Sequence, residues 1–382
     1  MLAGIVGVPN SGKSTFFKAL TLKDVEIADY PFTTIKPNEG VGFVTAKCPC
    51  SELGIKCMPK NSECRNGIRM IPVKLLDVAG LVEGAHMGKG MGNQFLDDLR
   101  QASALIHVLD CSGKTNSDGK PAAGWDPDRT VHILENEIDY WIHGIVLKGY
   151  GKVKTISRME KKPLHTLLAQ QLSGLGIKED EVKHALEKFS PETIEFASHL
   201  RKLSKPIIIA ANKIDLPESR ENFPKLEKEY KNIIPCSAEC ELALKEAAQH
   251  GLVEYTPGED KFKIVSENLN EKQRKALEFI QKNVLESYGS TGVETCLNKA
   301  FFEMLDMIVV YPVENEHHFS DKNGNALPDA ILLKQGSTTL DLARAVHTEI
   351  ADRMICGIDA RTKMKIGKEH VLKDRDVVRI VV

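Results

Sequence analysis

Short apolar runs alternate with amphipathic runs through the first part of the chain, and this alternation predicts an α/β fold. The apolar runs have the composition of parallel strands that are buried on both faces. They are Leu2–Val8, Gly40–Ala46, Met70–Val78, Ala104–Asp110, Pro206–Ala211 and Asn232–Pro235. Amphipathic runs at Ser14–Leu22 and Asn93–Ser103 predict helices between the strands. We therefore expect an α/β domain with a mostly parallel sheet and helices on both faces.

Residues 111–205 interrupt this alternation with a pattern of helical period. Asp126 and Pro127 are typical of a helix start, because aspartate caps the first turn and proline fits its first position. Further helical patterns cover Leu164–Leu172 and Glu179–Leu203. The sequence thus predicts a helical insertion, of the coiled-coil arm type, within the α/β domain.

The pattern changes again after predicted helices at Glu241–Gln249, Glu271–Tyr288 and Thr291–Leu305. Strands are expected at Met307–Val313, Ala330–Lys334, Met354–Ile358 and Val377–Val382, with a helix from Thr338 to Ala351 that Ser337 caps. Two strands, a helix and two strands suit a small β-grasp module. The predicted domains are 1–305, interrupted by 111–205 and by a cysteine-containing loop at 47–67, and 306–382.

Composition narrows the class of protein only modestly. Of 382 residues, 42% are hydrophobic and 27% charged, and the formal net charge is −2, so nothing indicates a general nucleic-acid binder. No apolar run is long enough to span a membrane, and the first strand leaves no room for a signal peptide, so we expect a cytoplasmic protein without membrane contact. The nine cysteines should then be reduced.

A glycine-rich turn, Gly7-Val8-Pro9-Asn10-Ser11-Gly12-Lys13-Ser14, joins the first strand to the first helix. Its backbone N–H groups and the positive end of the helix dipole favour a phosphate ligand. Lys13 can stabilise the β- and γ-phosphates, and the Ser14 hydroxyl can ligate Mg2+. The residues expected to hold the nucleotide here are Asn10, Ser11, Gly12, Lys13, Ser14 and Thr15.

Two further segments have the pattern of a nucleotide-dependent switch. Thr33 and Thr34 follow the proline-containing stretch Asp29-Tyr30-Pro31-Phe32, and we assign contact with Mg2+ and the γ-phosphate to Thr34. Asp77 at a strand end can hold Mg2+ through water, while the Gly80 amide can sense the γ-phosphate. The glycine-rich run after Gly80 would permit the rearrangement that a switch needs.

A base-recognition pattern, Asn212-Lys213-Ile214-Asp215, follows the predicted strand Pro206–Ala211. The Asp215 carboxylate can accept hydrogen bonds from N1–H and the N2 amine of guanine, which adenine lacks. Asn212 can bridge the base edge and the phosphate loop, and the Lys213 stem can cover the base. The backbone at Ser237 and Ala238 can donate to guanine O6. We therefore expect GTP or GDP as the ligand.

Four cysteines, Cys48, Cys50, Cys57 and Cys64, lie in a segment with little helix or strand pattern. Four thiolates can close a tetrahedral Zn2+ site and so order a loop that has few apolar groups. The C-x-C-x6-C-x6-C spacing lacks the paired C-x2-C of common zinc sites, so reduced structural cysteines are the default interpretation and zinc is the alternative.

Taken together, these motifs resemble those of the Obg/YchF family of P-loop GTPases. The distinctive run is D-V-A-G-L-V-E-G-A-H-M-G-K-G-M-G-N-Q-F-L at 77–96, and the tail, with L-K-Q-G-S-T-T-L-D-L-A-R-A-V-H at 333–347, resembles a TGS domain. The resemblance covers most of the chain and implies a regulatory GTPase whose partner is the ribosome, through ribosomal RNA or protein. It also implies Lys13, Thr34 and Gly80 as the catalytic groups.

Two departures from the pattern of related GTPases bear on specificity and rate. YchF proteins commonly carry glutamate where Asp215 stands, and such members tend to use ATP, so the aspartate favours GTP in an archaeal-type branch. Leu81 replaces a water-orienting glutamine, so slow intrinsic hydrolysis is expected, with acceleration by a partner or by K+ at Asn10. His86 is a further candidate for assisting hydrolysis.

Three questions stay open at this point. The chain can also be a YchF-type ATPase, or a nucleotide-gated RNA-binding protein that uses its arm or its tail. The sequence does not specify the oligomeric state.

Overall fold

The computed structural model describes residues 1–22, 38–81, 83–88 and 92–382. These residues form two compact units. The first unit consists of residues 1–22, 38–40 and 74–300, and the second consists of residues 41–73 and 301–382. Within the described ranges, no helix is both long enough and apolar enough to cross a membrane.

The main sheet has seven strands in the order β2-β4-β1-β5-β6-β7, with β3 paired to β4. The strands are β1 (Leu2–Val6), β2 (Glu39–Lys47), β3 (Glu63–Arg65), β4 (Ile68–Asp77), β5 (Ala104–Asp110), β6 (Ile207–Asn212) and β7 (Ile233–Pro235). The pairs β1–β4, β1–β5, β5–β6 and β6–β7 are parallel. The α/β class predicted from the apolar runs is thus confirmed.

The described part of the first unit contains eleven α-helices. They are α1 (Lys13–Thr21), α3 (Gly92–Gln101), α4 (Pro127–Glu160), α5 (Leu164–Leu172), α6 (Glu179–Leu186), α7 (Ile194–Ser204), α8 (Ser219–Glu229), α9 (Ala238–Gln249), α10 (Glu271–Ile280), α11 (Glu286–Tyr288) and α12 (Val293–Asn298), while α2 (Cys50–Leu53) belongs to the second unit. Short 3₁₀ turns occur at Ala85–Met87 and Ser173–Leu175, and π-helical turns at Gln281–Leu285 and Lys299–Met304. A small hairpin, β8 (Val253–Tyr255) and β9 (Phe262–Ile264), follows α9.

The helical insertion shares its hydrophobic core with the sheet. Leu134, Ile138 and Ile142 of α4 pack in one buried cluster with Phe95 and Leu99 of α3. Asp126 caps α4 by accepting from the Asp128 N–H, and Pro127 occupies the first turn, as the sequence predicts. Because α4 lies in this common core, its start is fixed against the sheet.

The helical pattern over Glu179–Leu203 forms two helices, because the chain breaks between α6 and α7. Pro191 stands in the break, where its ring cannot donate a helical hydrogen bond. The Thr193 N–H and hydroxyl both donate to the Ser190 carbonyl, which closes a turn before α7 begins.

The second unit contains a five-stranded sheet in the order β11-β10-β14-β12-β13. Its strands are β10 (Met307–Val313), β11 (Ile331–Lys334), β12 (Cys356–Asp359), β13 (Lys365–Ile366) and β14 (Val377–Val381), and its helices after residue 300 are α13 (Thr339–Val346) and α14 (Thr348–Arg353). Two local predictions need correction. Thr338, not Ser337, caps α13, because Thr338 and Asp341 satisfy each other's backbone N–H groups. The helix also stops at His347, whose backbone is extended and whose ring accepts from the Glu349 N–H.

Candidate functional site

The phosphate loop joins β1 to α1 at the carboxyl edge of the sheet. Gly12 adopts φ +92° immediately before α1, a conformation that favours glycine. A Cβ added at Gly7 would lie 2.7 Å from the Val108 carbonyl oxygen and 2.8 Å from Ser11 Oγ, so glycine is required there for packing. The first helical hydrogen bond runs from the Phe16 N–H to the Gly12 carbonyl at 2.9 Å. The N–H groups at the helix start therefore remain available to an anion.

Asn212 joins the phosphate loop to the base-recognition segment. It is the last residue of β6, and its side chain is buried. Its Nδ2 donates to the Ser11 carbonyl at 2.9 Å, and its Oδ1 accepts from the Ala238 N–H at 3.0 Å. The Asn212 amide thus holds the phosphate loop and the start of α9 together, although Ser11 lies 201 residues before Asn212 and Ala238 lies 26 residues after it.

Lys213 reaches across the phosphate loop. Its Nζ donates to the Asn10 carbonyl at 2.9 Å and pairs with Asp110 Oδ2 at 2.8 Å. Asp110 is buried at the end of β5 and also accepts from Thr115 Oγ1 at 2.6 Å. Sequence reasoning missed Asp110. A polar residue closing an apolar strand at this edge was the available signal.

Asp215 lies beside the start of α9. Ser237 Oγ donates to Asp215 Oδ1 at 2.7 Å and accepts from the Cys240 N–H at 3.3 Å, which makes Ser237 the cap of α9. Asp215, Ser237 and Ala238 are therefore adjacent, as the motif predicts. The carboxylate is oriented by a hydroxyl on one oxygen, and the other oxygen has no donor among the described residues.

Lys13 and Asp77 form an ion pair at the start of α1. Lys13 opens α1, Ser14 follows it, and Asp77 ends β4, so these three predicted residues lie on the same side of the phosphate loop. A hydroxyl and a carboxylate are hard oxygen donors of the kind that Mg2+ prefers, and this set fits that ion. Thr34 lies outside the described residues.

The turn after Asp77 is held by Asp98 of α3, another residue that sequence reasoning missed. Asp98 accepts from the Ala79 N–H at 3.3 Å and from Asn38 Nδ2 at 3.5 Å. Burial raises the pKa of Asp98. The Leu81 N–H donates to the Gly7 carbonyl at 3.2 Å, which ties the same turn to the phosphate loop. Gly80 lies between these two attachments.

Glu137 of α4 binds the loop that follows Gly80. Its Oε1 accepts from the Gly84 N–H at 2.7 Å, and its Oε2 accepts from the His86 N–H at 2.9 Å. The same Oε2 lies 2.7 Å from His86 Nδ1, and the His86 ring stacks on Tyr140 with centroids 5.0 Å apart. The long helix of the insertion thus holds the predicted switch loop through one buried carboxylate.

Asn10 contacts a second loop. Its Nδ2 donates to the Gly119 carbonyl at 2.8 Å, and Gly119 has φ +76° where an added Cβ would lie 2.5 Å from Pro9 Cβ. Asn10 itself has φ 64°, a conformation that asparagine tolerates better than most residues. The loop around Gly119 therefore lies against the phosphate loop, at a position the sequence did not predict.

The structure also brings the four cysteines of the 47–67 segment together. Their sulfur atoms all lie within 4.8 Å of one another. The pKa of Cys48 is lowered, first by a hydrogen bond from Cys64 and also by the charge of Arg69. This group belongs to the second unit.

Comparison with known proteins gives matches over almost the whole chain. Residues 2–213 match the family described as 50S ribosome-binding GTPase. Residues 210–315 match the G4-motif-containing domain of YGR210-like Obg-like GTPases, and residues 322–382 match the TGS domain.

Individual relatives span the full length. A GTP-binding protein of Methanocaldococcus jannaschii is 51% identical over 391 aligned residues, covering 100% of this chain and 98% of the relative. The ribosome-binding ATPase YchF of Bacillus subtilis is 28% identical, with coverage of 99% and 98%. A solved GTP-binding protein from Pyrococcus horikoshii superposes with a TM-score of 0.78 at 39% identity, covering 100% of this chain and 99% of that one.

Proposed function

Because this chain belongs to the Obg-like, YchF-type family of P-loop GTPases, we propose that it binds GTP and hydrolyses it to switch between two conformations. The observation that carries this proposal is the double hydrogen bond of Asn212. These two bonds tie the phosphate loop to the residues expected to recognise the base, and this supports a single nucleotide site.

Guanine is the base that the site suits best. Asp215 is oriented by Ser237, and its second oxygen can accept from N1–H and the N2 amine. Adenine has neither N1–H nor the N2 amine, so this second oxygen would lose two donors, at a cost of about 3 kcal/mol or more. A relative that aligns with 99% of this chain is named an ATPase, so base preference is the property to measure first.

Hydrolysis in this site would depend on charge stabilisation and positioning. Lys13 would neutralise the γ-phosphate, Ser14 and Asp77 would hold Mg2+ together with Thr34, and the Gly80 N–H would contact the γ-phosphate. Leu81 is buried and contributes only its backbone N–H to Gly7, so it cannot orient water. The unaided rate should therefore be slow.

A monovalent cation can supply the missing charge. Asn10 uses Nδ2 to bind Gly119, which leaves Oδ1 as the side-chain atom that can ligate K+ beside the phosphates.

The proposed partner is the ribosome, which rests on the family and on the names of the B. subtilis relative and the matched family. The contact between Glu137 and the loop at 84–86 supplies a physical route for such a partner. A partner that moves α4 would release the loop, and loss of the γ-phosphate would act on the same loop from the other side.

Base preference is tested by titrating fluorescent GDP, ADP and xanthosine diphosphate against the wild-type protein and Asp215→Asn. We expect wild type to prefer GDP over ADP by at least about 100-fold, as loss of charged hydrogen bonds predicts. The side-chain amide that this substitution introduces would offer a donor to the xanthine C2 oxygen. The variant should therefore bind xanthosine diphosphate more tightly than wild type does, and GDP more weakly. Equal binding of ADP and GDP by wild type would instead favour the YchF-type ATPase.

The cation is tested by comparing hydrolysis in KCl and NaCl. Asn10→Gly is the suitable variant, because glycine accepts the positive φ and removes only the amide. Faster hydrolysis in KCl that disappears in Asn10→Gly supports the cation site, and equal rates in both salts for wild type reject it.

The partner is tested by sedimenting the full chain with ribosomes in GDP or in a non-hydrolysable GTP analogue. Pelleting only with the analogue supports a ribosome-directed switch. Binding to free RNA that falls steeply with salt and ignores the nucleotide would instead favour the RNA-binding alternative. The nucleotide titration and the ribosome sedimentation test separate parts of the proposal, so a negative result in one assay leaves the other part standing.

A further inference from the structure

Four thiols converge in the segment between β2 and β4. Cys50 begins α2, Cys64 lies in β3, and Cys48 and Cys57 flank α2. All four sulfurs lie within 4.8 Å of one another, and Cys50 Sγ lies 3.9 Å from Cys64 Sγ. Four thiolates around one Zn2+ at about 2.3 Å would be about 3.8 Å apart. The sulfur group therefore has nearly the size that a single tetrahedral ion requires.

Backbone structure holds these thiols in place without a disulfide. All nine cysteines of the chain are free thiols. Asn66 and Gly67 both have positive φ, at 50° and 79°, and form the tight turn of the hairpin that carries Cys64. The Cys48 N–H donates to the Gly67 carbonyl at 2.8 Å, which brings the first cysteine to this hairpin.

Arg69 is a buried cation beside this group, because it stands opposite Cys64 in the β3–β4 pair. Its side chain is fully buried, and its Nη2 donates to the Leu327 carbonyl. Its Nε and Nη1 have no hydrogen-bond partner among the described residues. Its guanidinium also lies over the Tyr311 ring, with Cζ 5.3 Å from the ring centroid. Four thiolates and one divalent cation carry a net charge of −2, and a buried arginine beside them would offset part of it.

The same segment makes its contacts with the C-terminal module close to the cysteines. The Met58 N–H donates to the Ala326 carbonyl at 2.8 Å, and the Lys60 N–H donates to the Pro328 carbonyl at 2.7 Å. These bonds begin one residue after Cys57.

A second contact starts from α2. Glu52, two residues after Cys50, forms ion pairs with Arg361, at 2.9 Å, and with Arg375. A metal ion bound by the cysteines would therefore fix the starting points of both contacts.

We propose that Cys48, Cys50, Cys57 and Cys64 bind one structural Zn2+, and that the ion holds residues 48–64 against the C-terminal module. Zn2+ suits four thiolates in tetrahedral geometry and needs no redox partner. An iron–sulfur cluster would need its thiolates farther apart than these are. Few apolar residues lie in this segment, so the metal would supply order that a hydrophobic core cannot.

The first test is metal content. The full chain, purified in metal-free buffer, should contain one zinc per chain by mass spectrometry. After replacement by Co2+, visible absorption should show the intense bands of tetrahedral thiolate ligation. The proposal is overturned if the purified protein contains no zinc and takes up neither Zn2+ nor Co2+. It is also overturned if these cysteines form a disulfide. Bound iron would overturn the choice of metal.

The second test uses matched variants. Cys57→Ser should lose zinc, while Cys356→Ser, which removes a buried thiol elsewhere in the second unit, should keep it. GDP affinity reports that the first unit of each variant has folded, and one cooperative urea transition like that of wild type reports the same for the second unit. In wild type, removing zinc with a chelator should speed tryptic cleavage at the exposed Lys56 and Lys60, and adding zinc should restore protection. Cleavage that ignores chelator and zinc contradicts the structural role.

Discussion

The carboxylate of Glu137 and the imidazole of His86 lie 2.7 Å apart, and the same carboxylate accepts the backbone N–H groups of Gly84 and His86. This contact connects the long insertion helix to the loop that follows Gly80. Because Glu137 is buried, its hydrogen bonds are strengthened by the surrounding low dielectric. Helix and loop should therefore move together or separate together.

We predict that Glu137→Ala frees the loop at 83–88. Two backbone N–H groups lose a charged acceptor, each worth about 1.5–3 kcal/mol, so their hydrogen exchange should speed up by at least about tenfold. Exchange measured by mass spectrometry on the peptide that contains Gly84 and His86 checks this.

Glu135→Ala is the matched control for that experiment. Glu135 lies on the same helix and pairs with Arg201 at 3.2 Å, without contact to the loop. Its removal should leave exchange at 83–88 unchanged. Equal acceleration in both variants would mean that the helix as a whole, and not the Glu137 carboxylate, holds the loop.

A second prediction concerns Asn212. Asn212→Ala leaves the buried Ser11 carbonyl and Ala238 N–H without their partner, which should lower the free energy of unfolding by about 2–4 kcal/mol. Asn212→Asp keeps the acceptor for Ala238 but places a negative oxygen against the Ser11 carbonyl, so it should bind GDP no better than the alanine variant. Urea unfolding and GDP titration of both variants check this, and an aspartate variant with wild-type affinity would show that the donor to Ser11 is dispensable.

The sequence predicts the residues expected to contact a nucleotide better than it predicts the residues that hold them in place. Gly12, Lys13, Asp77 and Asn212 are found at strand and helix ends because local patterns determine where those elements end. Glu137 accepts hydrogen bonds from the backbone of Gly84 and His86, which precede it by 53 and 51 positions in the sequence. A periodic pattern predicts only contacts between near neighbours, so it could not predict this one.

The cysteine segment also shows that sequence spacing does not determine which side chains meet in the folded chain. Its spacing left zinc and reduced thiols as alternatives. Only the folded hairpin, with its Asn66-Gly67 turn, shows that the four sulfurs meet. That dipeptide was a readable hairpin signal that sequence reasoning passed over.

A third prediction concerns the buried ion pair between Arg201 and Asp139. Arg201 Nε donates to Asp139 Oδ1 at 2.6 Å, and both side chains are buried between α7 and α4. Arg201→Ala leaves a buried carboxylate without its partner and should cost about 3–5 kcal/mol. The neighbouring exposed Lys202→Ala is the control and should cost less than about 0.5 kcal/mol. Similar losses in the two variants, measured by urea unfolding, would contradict the role of the pair.

The last prediction concerns His107, which is fully buried in β5. Both ring nitrogens are without a hydrogen-bond partner in the described parts of the chain. Burial lowers the pKa of His107 from 6.5 to about 4. Between these values the unfolded chain binds a proton that the folded chain does not, so folding stability rises with pH there. The contribution is complete above pH 6.5 and is lost as the pH falls towards 4.

His107→Leu should remove this dependence. At about pH 5 the wild-type protein should have lost about 2 kcal/mol of unfolding free energy relative to about pH 7 through this residue alone, and the leucine variant should be spared that loss. Urea unfolding at the two pH values gives the difference between the two proteins, in which the other titrating groups cancel. His250→Gln, at an exposed position, should behave as wild type. If wild type and His107→Leu lose equal stability on acidification, then His107 is protonated in the folded protein as readily as in the unfolded chain.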